Sequence, residues 1–164
     1  MTITIELYEM GSTEPLLVEA AESSNLAEAV KLKAAEVLVL VDEGDELDGD
    51  VDLVELDRRT TVGEVAQGHS RLTLLRNPAA KVTVHVHYAG VSKTLHVRST
   101  TRIRRIRKLA IAALGIDPER ATDTSLRLHG SDADLTPKSP VGAYLSKGQH
   151  QIDLDLVHKD RPQG

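Results

Sequence analysis

Lys81-Val82-Thr83-Val84-His85-Val86-His87-Tyr88-Ala89-Gly90-Val91-Ser92-Lys93-Thr94-Leu95-His96-Val97-Arg98 decides how this chain is read. Valine takes every second position from 82 to 86, with threonine and histidine between, the period of a strand with one buried face. Ala89-Gly90-Val91-Ser92 reads as a turn. Thr94–Arg98 reads as a second strand with Leu95 and Val97 facing inward, so the stretch is a hairpin. Thr100 or Thr101 is then expected to cap a helix by accepting from a free backbone N–H. Ile103, Ile106, Ala110 and Ala113 recur at helical spacing, Leu109 and Leu114 widen the stripe, and Gly115 suits the left-handed closing position. A bend at Ile116–Arg120 leads to a strand through Leu126 and Leu128 that ends at Gly130. Val141–Leu145 reads as a short helical turn, and Ile152, Leu154 and Leu156 alternate in a last strand. One helix can cross one mixed sheet and bury its stripe there, an α+β arrangement.

The same pattern stands earlier in the chain. Ile3, Ile5 and Leu7 alternate as Val82, Val84 and Val86 do, 79 positions on. Gly11 and Gly90 are 79 apart, as are Val62-Gly63-Glu64-Val65 and Val141-Gly142-Ala143-Tyr144. Leu72 and Leu74 precede Ile152 and Leu154 by 80. Four matches in order at nearly one offset indicate a duplication. In the first copy Thr2–Glu9 and Pro15–Ala20 are expected to pair. Asn25–Ala35 is expected to be a short helix with Ser24 as cap and Leu26 and Val30 on one face. Glu36–Val41 would be the next strand.

The halves differ in charge. Residues 1–77 carry 17 acidic and 6 basic side chains, a balance of −11; residues 78–164 carry 8 and 14, a balance of +6. The change falls at Asn77-Pro78-Ala79-Ala80, where proline interrupts any strand ladder. The expected organisation is an acidic domain over 1–77, a linker at 78–80, a second domain over 81–157 and a tail over 158–164.

Composition removes several classes of function. The chain of 164 residues holds three tyrosines, no phenylalanine and no tryptophan, so its cores are aliphatic and base-stacking nucleic-acid modules are not expected. Without cysteine there is no disulfide framework, thiolate zinc site or cysteine nucleophile. No run reaches the ~18 apolar residues of a membrane span. The opening alternation Thr2–Leu7 reads as a strand rather than a leader, so a cytoplasmic protein is expected. Walker A, Gly-x-Gly-x-x-Gly, His-Glu-x-x-His and Gly-x-Ser-x-Gly motifs are all absent, and neither catalysis nor a cofactor is expected.

The order hairpin, helix, short strand, helical turn, last strand resembles ubiquitin. Gly115-Ile116-Asp117-Pro118-Glu119-Arg120 is similar to the Gly-Ile-Pro-Pro-Asp-Gln turn after the ubiquitin helix. Leu126-Arg127-Leu128-His129-Gly130 is similar to Leu-Ile-Phe-Ala-Gly. Pro140-Val141-Gly142-Ala143-Tyr144 resembles Thr-Leu-Ser-Asp-Tyr, whose tyrosine braces the helical turn. The first half lacks the Gly-Ile-x-Pro turn and has Val65 where the second has Tyr144, so there the repeat carries the assignment. Two such domains in tandem, glycine last, resemble the interferon-induced two-domain ubiquitin-like modifiers of vertebrates and the ubiquitin-like modifiers of bacterial antiphage operons. The resemblance implies two β-grasp domains.

It also implies a substrate of enzymes rather than an enzyme. The terminal carboxylate of such a modifier is adenylated with ATP, passed to partner cysteines and attacked by a lysine amine. The implied partners are a ubiquitin-activating-like enzyme, a ubiquitin-conjugating-like enzyme, a metal-dependent isopeptidase and a lysine-bearing target, with no nucleic acid or membrane. Gly164 would be the conjugated residue, since glycine lacks a side chain to obstruct a narrow channel. His158, Lys159, Asp160, Arg161, Pro162 and Gln163 would be the tail the enzymes engage; with nothing apolar after Val157, that segment is expected to be mobile. The tail departs from the Leu-Arg-Leu-Arg-Gly-Gly of ubiquitin in its single glycine and in Pro162, which fixes one backbone angle.

The outward isoleucine at the centre of ubiquitin's apolar patch corresponds to Arg127, and Asp153 and Asp155 face outward beside it. Modules that need an apolar patch are not expected to bind. Arg102, Arg105, Arg127, Asp153 and Asp155 are the candidate docking face. Arg104, Arg107 and Lys108 add to the basic helix, which reads either as a docking surface or as a solvated face. His85, His87 and His96 should share the outward face of the hairpin; no second carboxylate beside them is evident, and a metal-free polar face is expected. The acidic run Asp42–Asp52 misses the EF-hand spacing and reads as a solvated loop. The alternative to a conjugated modifier is a non-covalent tandem adaptor, which the charge contrast also suits.

Overall fold

The computed structural model describes residues 1–42, 53–79 and 81–159. The acidic run beyond Asp42, Ala80 of the linker, and Asp160, Arg161, Pro162, Gln163 and Gly164 lie outside the described residues.

Two four-stranded mixed sheets follow one another, each a ubiquitin-like β-grasp domain. The first holds β1 (Thr2–Glu9), β2 (Ser12–Ala21), β3 (Leu38–Leu40) and β4 (Arg71–Arg76) in the order β2-β1-β4-β3. The second holds β5 (Lys81–Tyr88), β6 (Val91–Arg98), β7 (Thr124–Leu128) and β8 (Gln151–His158) in the order β6-β5-β8-β7. In each sheet the hairpin is antiparallel and the central pair, β1 with β4 or β5 with β8, is parallel.

The repeat is realised residue for residue. Ile5 lies opposite Leu72 and Leu7 opposite Leu74; Val84 lies opposite Ile152 and Val86 opposite Leu154. The return to the sheet is also duplicated. Val62 N–H donates to Ser24 O and Gly63 N–H to Glu22 O, as Val141 N–H does to Thr101 O and Gly142 N–H to Ser99 O. Isolated bridges join Asn25 with Thr61 and Arg102 with Pro140. Helix α2 (Val62–Ala66) and the 3-10 turn Val141–Tyr144 are therefore equivalent pieces, each held against the chain that leaves its hairpin.

The second core forms as its pattern predicts except at the end of the helical stripe, where Ile111 is buried and Ala113 is exposed. Val82, Val84, Val86, Ile152, Leu154 and Leu156 face Ile103, Ile106 and Ala110 of helix α3 (Ile103–Leu114), all buried. Each fully buried branched aliphatic side chain contributes about 1.5–3 kcal/mol. Gly115 closes α3 at φ +69. Tyr144 Oη accepts from Thr136 N–H at 2.9 Å, bracing the loop before the 3-10 turn.

Four local expectations are corrected. The hairpin turn is only Ala89-Gly90, and β6 begins at Val91. The cap of α3 is Arg102, without a side-chain bond to the helix; Thr100 and Thr101 are buried upstream. The expected helix Asn25–Ala35 is only α1 (Leu26–Ala29), capped by Asn25 rather than Ser24. It stops because Lys31 adopts φ +54. Leu32 N–H then reaches Ala27 O at 2.8 Å and Lys31 N–H reaches Glu28 O at 3.2 Å, a Schellman closure made without glycine. The strand expected over Glu36–Val41 is limited to Leu38–Leu40.

Both faces of the first sheet are buried at one end. Leu7 and Leu74 point into its own core, while their neighbours Tyr8 and Leu75 pack with Val39, Val41 and Ala143 of the 3-10 turn. The second domain thus sits on the outer face of the first.

Candidate functional site

The conjugation reading depends on where β8 delivers the chain. β8 is central in its sheet; its ladder with β5 runs as far as Asp155, and β7 pairs with it to His158. His158 is the last strand residue, not part of a free tail. Its Nδ1 lies 2.9 Å from Asp123 Oδ1 and its Nε2 lies 2.9 Å from Tyr88 Oη. Lys159 N–H donates to Asp123 O at 2.6 Å. Of the tail expected over 158–164, His158 and Lys159 are therefore held in the fold, because Asp123 and Tyr88 supply polar anchors where no apolar one exists.

The outward face of the second sheet is polar. Across β5, β8 and β7, His85 lies opposite Asp153, His87 opposite Asp155, and Arg127 opposite Asp155. His87 Nε2 meets Asp153 Oδ1 at 3.0 Å, and His129 Nδ1 meets Asp155 Oδ1 at 2.7 Å. The two imidazoles lie 4.9 Å apart at a 43° tilt. Arg127 Nε donates to Asp134 at 2.6 Å. That bond and one from Ser125 hold the Asp134 carboxyl below its ordinary range. The hydrogen bond to Asp155, then that carboxylate's charge, raise the His129 imidazole above its ordinary value. Burial pushes Asp155 up, but bonds from His129 and the Gly130 N–H leave it lowered overall.

The histidines point outward as expected, but their surroundings differ from expectation. His85 meets Thr94 Oγ1 at 3.1 Å and His87 meets Ser92 Oγ at 2.7 Å, each across the hairpin. A carboxylate, Asp153, does stand beside His87. Among the described residues no group of three His, Cys, Asp or Glu side chains is placed to hold a metal ion.

The five residues expected to form one docking face do not come together. Arg127, Asp153 and Asp155 share the outer sheet face, whereas α3 covers the opposite, inner face and carries Arg105 and the capping Arg102. Arg102 is only 7% exposed. Its Nε donates to Asp42 O at 3.0 Å and its Nη1 to Lys138 O at 2.8 Å. Arg107 is likewise a structural residue, donating from Nε to Thr124 O at 2.9 Å.

Sequence reasoning missed the seam between the domains. Arg98, Ser99, Thr100, Thr101 and Arg102 are five consecutive polar residues, and all are buried. Arg98 Nη2 and Thr100 Oγ1 both donate to Asp42 Oδ1, each at 2.8 Å. Asp42 N–H donates to Thr100 O at 3.1 Å. A signal was present in the paired apolar residues Leu7-Tyr8 and Leu74-Leu75, which break strict alternation where both faces are covered. By the repeat, Tyr8 and Leu75 correspond to His87 and Asp155. The first domain spends that patch on the seam, and the second leaves it polar and open.

Comparison with known proteins bears on the second half most directly. Residues 83–159 match the family model described as BilA ubiquitin-like domain 2. No curated protein matches the chain. Among solved structures, Caldiarchaeum subterraneum ubiquitin is similar with a TM-score of 0.39 and 15% identity, covering 52% of this chain and 100% of that one. An Arabidopsis thaliana structure, determined from evolutionary couplings and sparse NMR data, gives a TM-score of 0.36 and 15% identity, covering 51% and 93%. Residues 83–159 are thus similar to BilA ubiquitin-like domain 2, and the chain is a tandem ubiquitin-like protein that resembles the modifiers of bacterial Bil systems.

Proposed function

We propose that this chain is a protein modifier, a substrate of enzymes rather than a catalyst, joined through Gly164 to lysine amines of target proteins. An activating enzyme would adenylate the Gly164 carboxylate with ATP and take it as a thioester. A conjugating enzyme would receive the thioester on its own cysteine. A target lysine would then displace that thiolate to form the isopeptide bond, and a metal-dependent isopeptidase would hydrolyse it. The setting proposed is bacterial antiviral defence in the cytoplasm; among the described residues no helix is long and apolar enough to cross a membrane.

The match of residues 83–159 to a BilA ubiquitin-like domain carries this reading. The end of β8 supports it. The two polar anchors at His158 hold the end of β8 in the fold, so an enzyme that binds the domain meets residues 158 and 159 in a defined position. The test is purification of a tagged chain under denaturing conditions from cells that hold its neighbouring genes. Adducts carrying a Gly164–lysine linkage in peptide mass spectra support the reading. Adducts that persist after deletion of Gly164 refute it.

A non-covalent adaptor is the second reading, favoured by the open polar face at His87, Asp153 and Asp155. An adaptor keeps its partners when Gly164 is removed, and salt weakens that binding if charge drives it.

A further inference from the structure

Between the two domains runs a cleft of about 610 Å³, walled by the start of β4 on one side and by the start of α3 and Lys138 on the other. Its size falls in the range of real ligand sites, roughly 300–1,000 Å³. Neither domain has it alone. Arg71 and the partly exposed Leu40 come from the first domain; Arg102, Arg104 and Lys138 come from the second. The seam at Asp42, Arg98 and Thr100 fixes the distance between the walls.

The charge in the cleft is one-sided. Arg71 pairs with Glu6, the acidic side chain among the lining residues. Arg102 is part of the wall and donates to two carbonyl oxygens, those of Asp42 and Lys138. Arg104 and Lys138 are exposed, and among the described residues neither side chain has an ion-pair partner. Converging cations at a concave surface attract carboxylates strongly, since the walls exclude water and focus the field. Leu40 adds a small apolar contact.

We propose that this cleft binds an acidic segment of a partner protein, a short extended peptide with two or more carboxylates and an aliphatic residue between them. The site reads both domains at once, and it is independent of the conjugation chemistry at Gly164. A peptide is favoured over nucleic acid on two observations. No phenylalanine, tyrosine or tryptophan lines the cleft, and its one ring is His69, short of the successive stacking platforms a single strand needs. The first half also carries a balance of −11, which repels a long phosphate backbone beyond the cleft.

The probe is a fluorescein-labelled peptide of alternating glutamate and leucine, followed by anisotropy on the full chain. The acidic run 43–52 follows Asp42 in the sequence, so a second chain carrying amides at its six carboxylates is measured in parallel. Binding to either chain is expected to fall at least tenfold in Arg104→Glu/Lys138→Glu. It is expected to change less than twofold in Lys93→Glu/Arg120→Glu, which alters net charge equally on exposed sites elsewhere. Circular dichroism of both variants checks that they fold. The proposal is overturned if the peptide binds neither chain, if both charge variants weaken it alike, or if a lysine–leucine peptide or a single-stranded oligonucleotide binds as well.

Discussion

Arg98, at the end of β6, and Asp42, just past β3, form an ion pair across the domain seam at 2.8 Å, with side chains only 8% and 5% exposed. Thr100 donates to the same carboxylate oxygen, and Asp42 Oδ2 has no partner among the described residues. Removing one member of such a pair leaves a buried charge uncompensated. Arg98→Ala or Asp42→Ala is expected to lower stability by about 3–5 kcal/mol. The double change Asp42→Leu/Arg98→Met should recover much of that loss, because the charge is then absent rather than stranded. Urea denaturation of the three variants measures this; a loss under 1 kcal/mol for both single variants would show that the seam is not formed in solution.

Gly142 packs closely against the first domain. A Cβ there would lie 2.9 Å from Leu75 Cδ2 and 3.0 Å from Ser99 O. Leu75 is fully buried and Ser99 O is backbone, so neither can give way freely. Gly142→Ala is expected to cost about 1–3 kcal/mol by overpacking. The same change at Gly63, its partner in the repeat, meets Glu22 Cβ at 3.0 Å and Glu22 O at 3.1 Å, but on an exposed residue with no buried core side chain in the way, and is expected to cost less. Paired thermal melts compare them.

The hairpin turn of the second domain carries a correctable strain. Ala89 and Gly90 both have positive φ, +48 and +83, as a type I′ turn requires. Alanine pays a steric penalty there that asparagine largely avoids. Ala89→Asn is expected to stabilise the chain by about 0.5–1 kcal/mol, read from the urea midpoint at unchanged slope.

The pair His129–Asp155 gives a pH signature. His129 is raised above 6.5, so its contribution is complete below that value and fades as pH climbs through the folded-state value. Asp155 is lowered below 3.8, so its contribution is present above that value and fades as pH falls through the folded-state value. Together they support the fold most between the two. NMR titration of the imidazoles should place His129 above 6.5, and Asp155→Asn should bring it down; an unmoved His129 would contradict the pairing.

The sequence made the second domain legible because alternation, a helical stripe and Gly115 all point to one topology. The first domain was legible chiefly through the repeat, since α1 is only Leu26–Ala29 and its stop at Lys31 uses a left-handed lysine that no residue preference announces. The site was legible in its parts and not in their grouping. Arg102 and Arg127 look alike in a list of cations, but one caps a helix inside a seam and the other lies on an open sheet. That difference is set by how the two sheets pack, and five consecutive polar side chains, Arg98–Arg102, carry no local sign that they are buried.

The central claim is that Gly164 is the residue transferred, and intact-mass analysis tests it most directly. The chain is incubated with ATP and with the activating and conjugating enzymes proposed as its partners, then measured with and without reductant. The account predicts an adduct on a partner cysteine that reductant releases and that deletion of Gly164 abolishes. No adduct with enzymes of proven activity, or an adduct unchanged by the deletion, would contradict it.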